Sequence, residues 1–244
     1  MVQVISRPNK PFSWSFSRVN NYMTCPKKYF HTQVAKDVTE TYEHRGHGEE
    51  VHKMMEDRLM HARPLPPAFA HWERWPAEIL EDADRTKVIL AAEKEMGITA
   101  DFKPCEYFDR KVPVWSRAKV DVLKIYPDGR AYIADWKTGK IKEDNDQLLL
   151  MALFTMIHYP KVKTIDAEFI FLKEDEGPHV PRNNCVYGVR VTEDDVMEFW
   201  QRYKQYVKRL QLAHETLDFP PQESGLCKRY CPVRTCPKNG SYGK

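Results

Sequence analysis

The chain has 244 residues, 30% of them charged and 42% hydrophobic, with a net charge of +3. That length can bury a sizeable core, and so small an excess of cations does not force a nucleic-acid reading, so any electrostatic footprint must be local. No apolar run approaches the roughly 18 residues of a membrane span, and the opening "MVQVISRPNKPF" has no apolar signal segment, so a soluble, cytoplasmic protein is expected.

Taken in chain order, Ser17 is placed to cap a helix reaching about residue 35, with Val19, Tyr22, Met23, Tyr29 and Phe30 as its apolar stripe. Pro26 predicts a kink or break within it. A second helix over 45–62 carries Val51, Met54, Met55 and Leu59 on one face and is stopped by "RPLPP" at 63–67. A tryptophan-bearing helical stretch covers about 70–85. The period then changes. "KVILAAEKEM" (87–96), "KVPVWSRAKVDVLKIY" (111–126) and "RAYIADWK" (130–137) read as strands, the last two joined by the turn residues "PDG" at 127–129. A helix over 145–158 follows, then strands near 164–173 and 185–191. Next comes a helix over 193–214 with Val196, Phe199, Trp200, Tyr203, Val207 and Leu210 inward. This order predicts the α/β class, a mixed sheet flanked by helices. One domain is expected over 1–244, with an N-terminal helical part (1–86), a core (87–215) and a Cys-rich tail (216–244).

Two carboxylates stand out. Asp121 is set into the apolar run "RAKVDVLKI", and Asp135 ends the apolar run "YIAD" across the turn. A hairpin brings such residues together, and like charges in a half-buried sheet are costly unless a cation neutralises them; oxygen donors suit a hard divalent metal. Lys137 lies two residues beyond Asp135, on the same strand face. A lone D-x-K reads most simply as a surface salt bridge, but Asp121 upstream favours a site. His52 alone reads as an interfacial residue of its helix, and Gln147 alone as an ordinary polar helix residue. Glu93 and Glu95 lie on the strand before Asp121, and each alone reads most simply as an ordinary strand residue.

Six cysteines occur, at 25, 105, 185, 227, 231 and 236, three of them within ten residues as C-x3-C-x4-C. Such clustering favours metal or reactive thiols over a disulfide framework. Basic and aromatic residues interleave at 27–30, 201–210 and 228–230, which suits either single-strand tracking or a solvated helix face.

Together these residues resemble the PD-(D/E)XK nuclease superfamily, RecB-like branch. "VD" (120–121), a turn and "DWKTGK" (135–140) are similar to its core. "RGHGEEVHKMME" (45–56) resembles its G-x-x-x-H helix, with Gly48 and His52 in register. "DNDQLLLMALF" (144–154) resembles the helix whose glutamine holds substrate or the active-site lysine, and "SRVNNYMTCPKKYF" (17–30) its N-terminal Cys-Pro-aromatic helix. Met151 stands where the family often has tyrosine, and "AKVD" replaces its G-K/R-I-D. The resemblance implies a restriction-endonuclease-like fold and a deoxyribonuclease dependent on Mg²⁺ or Mn²⁺. The implied reaction is phosphodiester hydrolysis by an exonuclease at DNA ends, in recombination, replication or repair. A phage or bacterial factor is implied, working alone or beside a recombinase, helicase or single-strand-binding protein. It implies Asp121, Asp135, Lys137 and Gln147 as catalytic, His52, Asp121, Asp135 and the Trp136 backbone carbonyl as metal ligands, and Glu93, rather than Glu95, as an accessory acid; the Trp136 side chain, on the opposite strand face, reads as core packing. A non-catalytic DNA-binding scaffold on the same fold is the alternative. Cys25 with Cys227, Cys231 and Cys236 resembles the branch's iron–sulfur members, one ligand before the core and three after it, although the usual late spacing is C-x2-C-x5-C. A [4Fe–4S] cluster, zinc and unligated thiols all stay open.

Overall fold

The computed structural model describes residues 11–39, 45–141, 144–177 and 179–241. Residues 1–10, on which part of the signal-segment expectation rests, lie outside these. Among the described residues no helix is long and apolar enough to cross a membrane.

The centre is a six-stranded mixed sheet in the order β2-β1-β3-β4-β5-β6. Its strands are β1 (Ile89–Ile98), β2 (Pro104–Cys105), β3 (Ser116–Ile125), β4 (Arg130–Lys137), β5 (Thr164–Phe171) and β6 (Val186–Thr192). β1, β3 and β4 pair antiparallel, β4 and β5 pair parallel, and β5 and β6 antiparallel. The helices are α1 (Phe16–Thr24), α2 (Pro26–Tyr29), α3 (Arg45–His61), α4 (Arg74–Thr86), α5 (Asp146–His158), α6 (Arg182–Cys185) and α7 (Glu193–Thr216). The expected α/β class with a mixed, helix-flanked sheet is what the chain adopts.

Two apolar layers cover the sheet. On one side α1, α2, α5 and α7 pack through residues such as Val19, Tyr29, Leu148, Phe154, Phe199 and Leu210. On the other, α3 and α4 pack Val51, Met55, Leu59, Trp75 and Ile79 against Val122, Ala134, Trp136 and Ile170. α5 crosses between the parallel strands β4 and β5, and it buries seven of its residues, Leu148 and Leu150–Thr155, as an internal helix must. α7 starts at a capping box between Thr192 and Asp195, with three acids in its first turn.

Several expected boundaries are corrected. Ser15, not Ser17, caps the first helix. That helix stops at Thr24, because Cys25 is extended and serves as N-cap to α2, with Pro26 at its first position. The segment 111–115 is not strand, since Asp109 accepts hydrogen bonds from the amides of Lys111 (2.7 Å) and Val112 (3.1 Å) and ties the chain into a loop. β1 begins two residues late and runs to Ile98, and β5 ends at Phe171 in a 3-10 turn. The two-residue β2 carries no period and was not expected.

One feature of the sheet sets up the site. The β1–β3 ladder keeps one register from Ile89↔Ile125 to Ile98↔Ser116 but skips the rung at Glu93. Glu93 has φ 51, the left-handed region. Leu90, Ala92 and Val122 face the α3/α4 layer, whereas Met96, Ile98 and Val120 face the α5/α7 layer. Both strands therefore reverse their alternation at the same rung, opposed single-residue bulges that cancel in register but not in facing. Glu93 and Asp121 sit at that dislocation.

Candidate functional site

α3 lays its buried face, Val51 and Met55, over the sheet, and this holds His52 above the dislocation. His52 Nδ1 lies 3.3 Å from Asp121 Oδ2 and 3.4 Å from Glu93 Oε1. One donor atom from each of the three residues falls within 4.8 Å of the others, the one such group among the described residues. Asp121 is 4% exposed, and its Oδ2 also accepts the Trp136 backbone N–H at 2.9 Å. Glu93 is also paired with Lys119.

Burial by itself pushes the His52 pKa down, but its close approach to Asp121 and Glu93 and the charges of Asp121 and Asp135 raise it to about 10. The cluster thus draws a proton onto an imidazole to offset its negative charge. A cation would be drawn by the same field. Glu93 Oε1 is buried with no hydrogen bond, and an imidazole nitrogen with two carboxylates is a donor set that magnesium or manganese takes. On donor chemistry and on that orphaned oxygen, the residues fit a divalent metal.

Beside this cluster stands a second constellation. Asp135 is 3% exposed and lies two residues before the end of β4; Lys137 Nζ reaches its Oδ2 at 2.5 Å, an ionic contact rather than a directed hydrogen bond. Gln147, on the first turn of α5, donates to Asp135 Oδ1 at 2.8 Å and accepts from Lys137 at 2.9 Å. Burial and the Asp121 charge raise the Asp135 carboxyl pKa, against the pull of Lys137. Lys137 also lies 4.6 Å from the Phe169 ring centroid, so its ammonium is held on three sides.

The structure thus brings His52, Glu93 and Asp121 together, and Asp135, Lys137 and Gln147 beside them. Asp135 is engaged by Lys137 and Gln147, and the three converging donor atoms include one from Glu93. The Trp136 side chain is buried in the α3/α4 layer, as expected. A Cβ on Gly48 would lie 3.7 Å from Thr138 Oγ1, ordinary contact, so that packing does not itself demand glycine. Lys119 was missed. It lines a cleft of about 500 Å³ with His52, Glu93 and Gly48, and its spacing two residues before Asp121 was the available signal.

The cysteines converge less. Gln222 N–H points at Cys25 Sγ (3.5 Å), and Cys227 Sγ at Gln222 O (3.9 Å). Cys231 is half-buried and Cys236 buried, yet no three sulfurs gather as His52, Glu93 and Asp121 do. A tetrahedral zinc, with Zn–S near 2.3 Å, needs sulfurs about 4 Å apart. The four residues do not fit a zinc ion as they stand. Of the basic–aromatic stretches, 201–210 is a helix face, with Tyr203, Val207 and Leu210 buried and Arg202 paired to Asp146 at 2.6 Å. In 27–30, Tyr29 is core, bonded to His214 at 2.9 Å.

No curated protein sequence matches the chain. Among solved structures it is similar to a candidate exonuclease from Eubacterium rectale, with a TM-score of 0.52 at 13% identity over 88% of this chain and 85% of that one. Weaker likeness extends to the alkaline exonuclease LHK-Exo from Laribacter hongkongensis (TM-score 0.37, 15% identity, 84% and 91% covered). A phage-related exonuclease from Haemophilus somnus 129PT is more distant (TM-score 0.31, 9% identity, 74% and 89% covered). At such identities the first of these speaks for the fold alone. The sequence pattern of the PD-(D/E)XK nuclease superfamily matches residues 13–237, spanning the sheet, both constellations and most of the tail, and the chain belongs to that superfamily.

Proposed function

We propose that the chain is a metal-dependent deoxyribonuclease, folded as one nuclease domain, that hydrolyses phosphodiester bonds as an exonuclease at DNA ends. The observation that carries this reading is the pairing of buried Asp135 with half-buried Lys137, bridged by Gln147, beside the His52–Glu93–Asp121 donors. A structural salt bridge needs neither the bridging amide nor three further metal-binding groups at its side.

His52, Glu93 and Asp121, with Asp135 and the Trp136 carbonyl at the rim, would hold Mg²⁺ or Mn²⁺. Such an ion, when bound, supplies Lewis acidity to a phosphate oxygen and acidifies water. Lys137 contributes a fixed ammonium that orients the attacking water and offsets charge building on the phosphate. Gln147 and Asp135 fix where that ammonium points, and Phe169 walls it from below. Lys119 offers a further cation at the cleft edge, 45% exposed, for an incoming phosphate. The four cysteines supply thiolates of the kind an iron–sulfur cluster takes, and no step of the reaction runs through them. Partners of the recombinase, helicase or single-strand-binding class suit an enzyme confined to ends.

The test is a time course on end-labelled linear and covalently closed circular DNA with Mn²⁺ or EDTA, comparing wild type with Asp135→Ala. Metal-dependent loss of linear DNA alone, abolished in the variant, supports an exonuclease. Cutting of the circle would replace it with an endonuclease. Binding without cutting would favour the non-catalytic scaffold.

A further inference from the structure

A hollow of about 720 Å³ lies apart from the metal-side cleft. It lies between the segment Pro11–Ser15 and the loop 107–114, with Arg117 of β3 among the residues lining it. Arg18, Arg110 and Lys111 also line it. Asp109 is the one acid there, and its oxygens are taken up by backbone amides of Glu106, Lys111 and Val112. Among the described residues no carboxylate pairs with Arg110, Lys111 or Arg117. Phe108 stands 72% exposed at the rim.

Single exposed aromatics are common and mean little. This one is held in place. Arg117 Nε donates to Tyr107 O at 2.6 Å, and its guanidinium lies 5.8 and 5.7 Å from the Tyr107 and Phe108 rings. β2 passes so close beneath that a Cβ on Gly97 would sit 2.5 Å from Glu106 O, so only glycine lets the loop settle there. A preorganised loop that spends an exposed ring beside three cations has the composition of a stacking platform on a phosphate track. Arg117 lines this groove and Lys119 lines the metal-side cleft; two residues apart, they share one face of β3. Arg117 is four residues from Asp121, roughly 13 Å along the strand.

We propose that this groove binds single-stranded nucleic acid, the strand running over Arg117 and Lys119 toward Asp121 with one base stacked on Phe108. The proposal deepens the nuclease reading and rests on it only for the strand's destination. The interior of a duplex does not suit the groove, since a base stacked on both sides offers Phe108 no free face.

The test uses the full chain. Binding of a short fluorescent oligothymidylate is measured in EDTA across a salt series for wild type, Phe108→Ala and the double variant Arg110→Glu/Lys111→Glu. In parallel, kcat/KM is compared for long single strands and for a chromogenic phosphodiester too short to reach the groove, with thermal unfolding as the folding control. Phe108→Ala is expected to weaken oligothymidylate binding about tenfold. The double variant should lower the salt slope by about 1.4, at 0.7 per phosphate contact. Both should depress the long-to-short kcat/KM ratio about tenfold, the loss of stacking and contact affinity. Wild-type-like binding and ratio in both variants would overturn the groove while leaving the nuclease standing. Equal competition by polyglutamate, with Phe108→Ala indifferent, would overturn it as mere surface charge. A wild type that cuts nothing yet binds through Phe108 would sink the nuclease reading and uphold the groove.

Discussion

The sheet centre and the cysteine tail both gather metal-binding residue types, and they gather them by different means. His52, Glu93 and Asp121 come from one helix and two strands whose neighbours Val51, Met55, Val120 and Val122 are fully buried, and their donor atoms already converge. Cys25, Cys227, Cys231 and Cys236 hang on an N-cap, a 3-10 turn and an irregular loop. That loop is stitched by Asn239, which donates to Cys231 O (2.9 Å) and Val233 O (3.1 Å), and by Gly240 N–H to Cys227 O (2.9 Å). Backbone is fixed there, but the sulfurs do not converge on a common point. A metal at the sheet would find its donors in place, whereas one at the tail would have to assemble them and spend binding energy on ordering.

That contrast can be broken or sharpened by substitution. Asp121→Ala removes a donor and orphans the Trp136 N–H; loss of DNA cleavage on the order of 1000-fold is expected, with far-ultraviolet circular dichroism retained. Lys137→Ala should cost on the order of 100-fold or more, and Gln147→Ala, which only orients, about tenfold to 100-fold, both read from single-turnover rates. A Gln147→Ala loss equal to that of Lys137→Ala would show that the amide does more than orient.

Away from both metal regions, Asp82 of α4 accepts from Lys124 Nζ and Tyr126 OH, each at 2.5 Å, and Lys124 is 5% exposed. Asp82→Ala leaves a buried ammonium and should cost about 3 kcal/mol in urea unfolding. Burial raises the Asp82 pKa, but Lys124 and Tyr126 outweigh it and hold the carboxyl at about 2, below the usual 3.8. A depressed folded-state pKa adds stability that is whole above the unfolded value and lost as pH falls through the folded one. The gap between wild type and variant should therefore close between pH 4 and 2, about the span of the two values.

Saturating Mn²⁺, at about 100 times Kd, should stabilise the wild type by about 2.7 kcal/mol, and His52→Ala should abolish most of that gain in a thermal shift. Smallest of all, Cys231→Ser in protein free of iron and zinc should cost under about 1 kcal/mol. A greater loss would mean that the thiol itself packs into the fold.

The parts of this design legible in the sequence are those carried by local period. β4 matches its expected bounds because alternation and the "PDG" turn define it on both sides. α3 and α7 follow from their apolar stripes. β3 was overread because Val112 and Val114 continue its alternation, although Pro113 and the Asp109 turn keep them out of the sheet. The pairing of Asp121 with Asp135 could be anticipated from the hairpin. Glu93 could only be suspected, since no pattern announces a left-handed glutamate that turns two strands over. Met151, in place of the family's tyrosine, is 5% exposed in the α5/α7 layer, which is packing and not chemistry. The Phe108 groove went unnoticed because its charge comes from three separate segments, each unremarkable alone.

The backbone at Glu93 also bears on how this protein could be improved by selection. Glycine adopts φ 51 without the penalty a glutamate meets, so Glu93→Gly relieves strain of about 1 kcal/mol while deleting a donor. A screen for heat resistance alone would collect that change and discard the reaction. At this rung thermal endurance and turnover pull in opposite directions, and a variant library has to be scored for both at once.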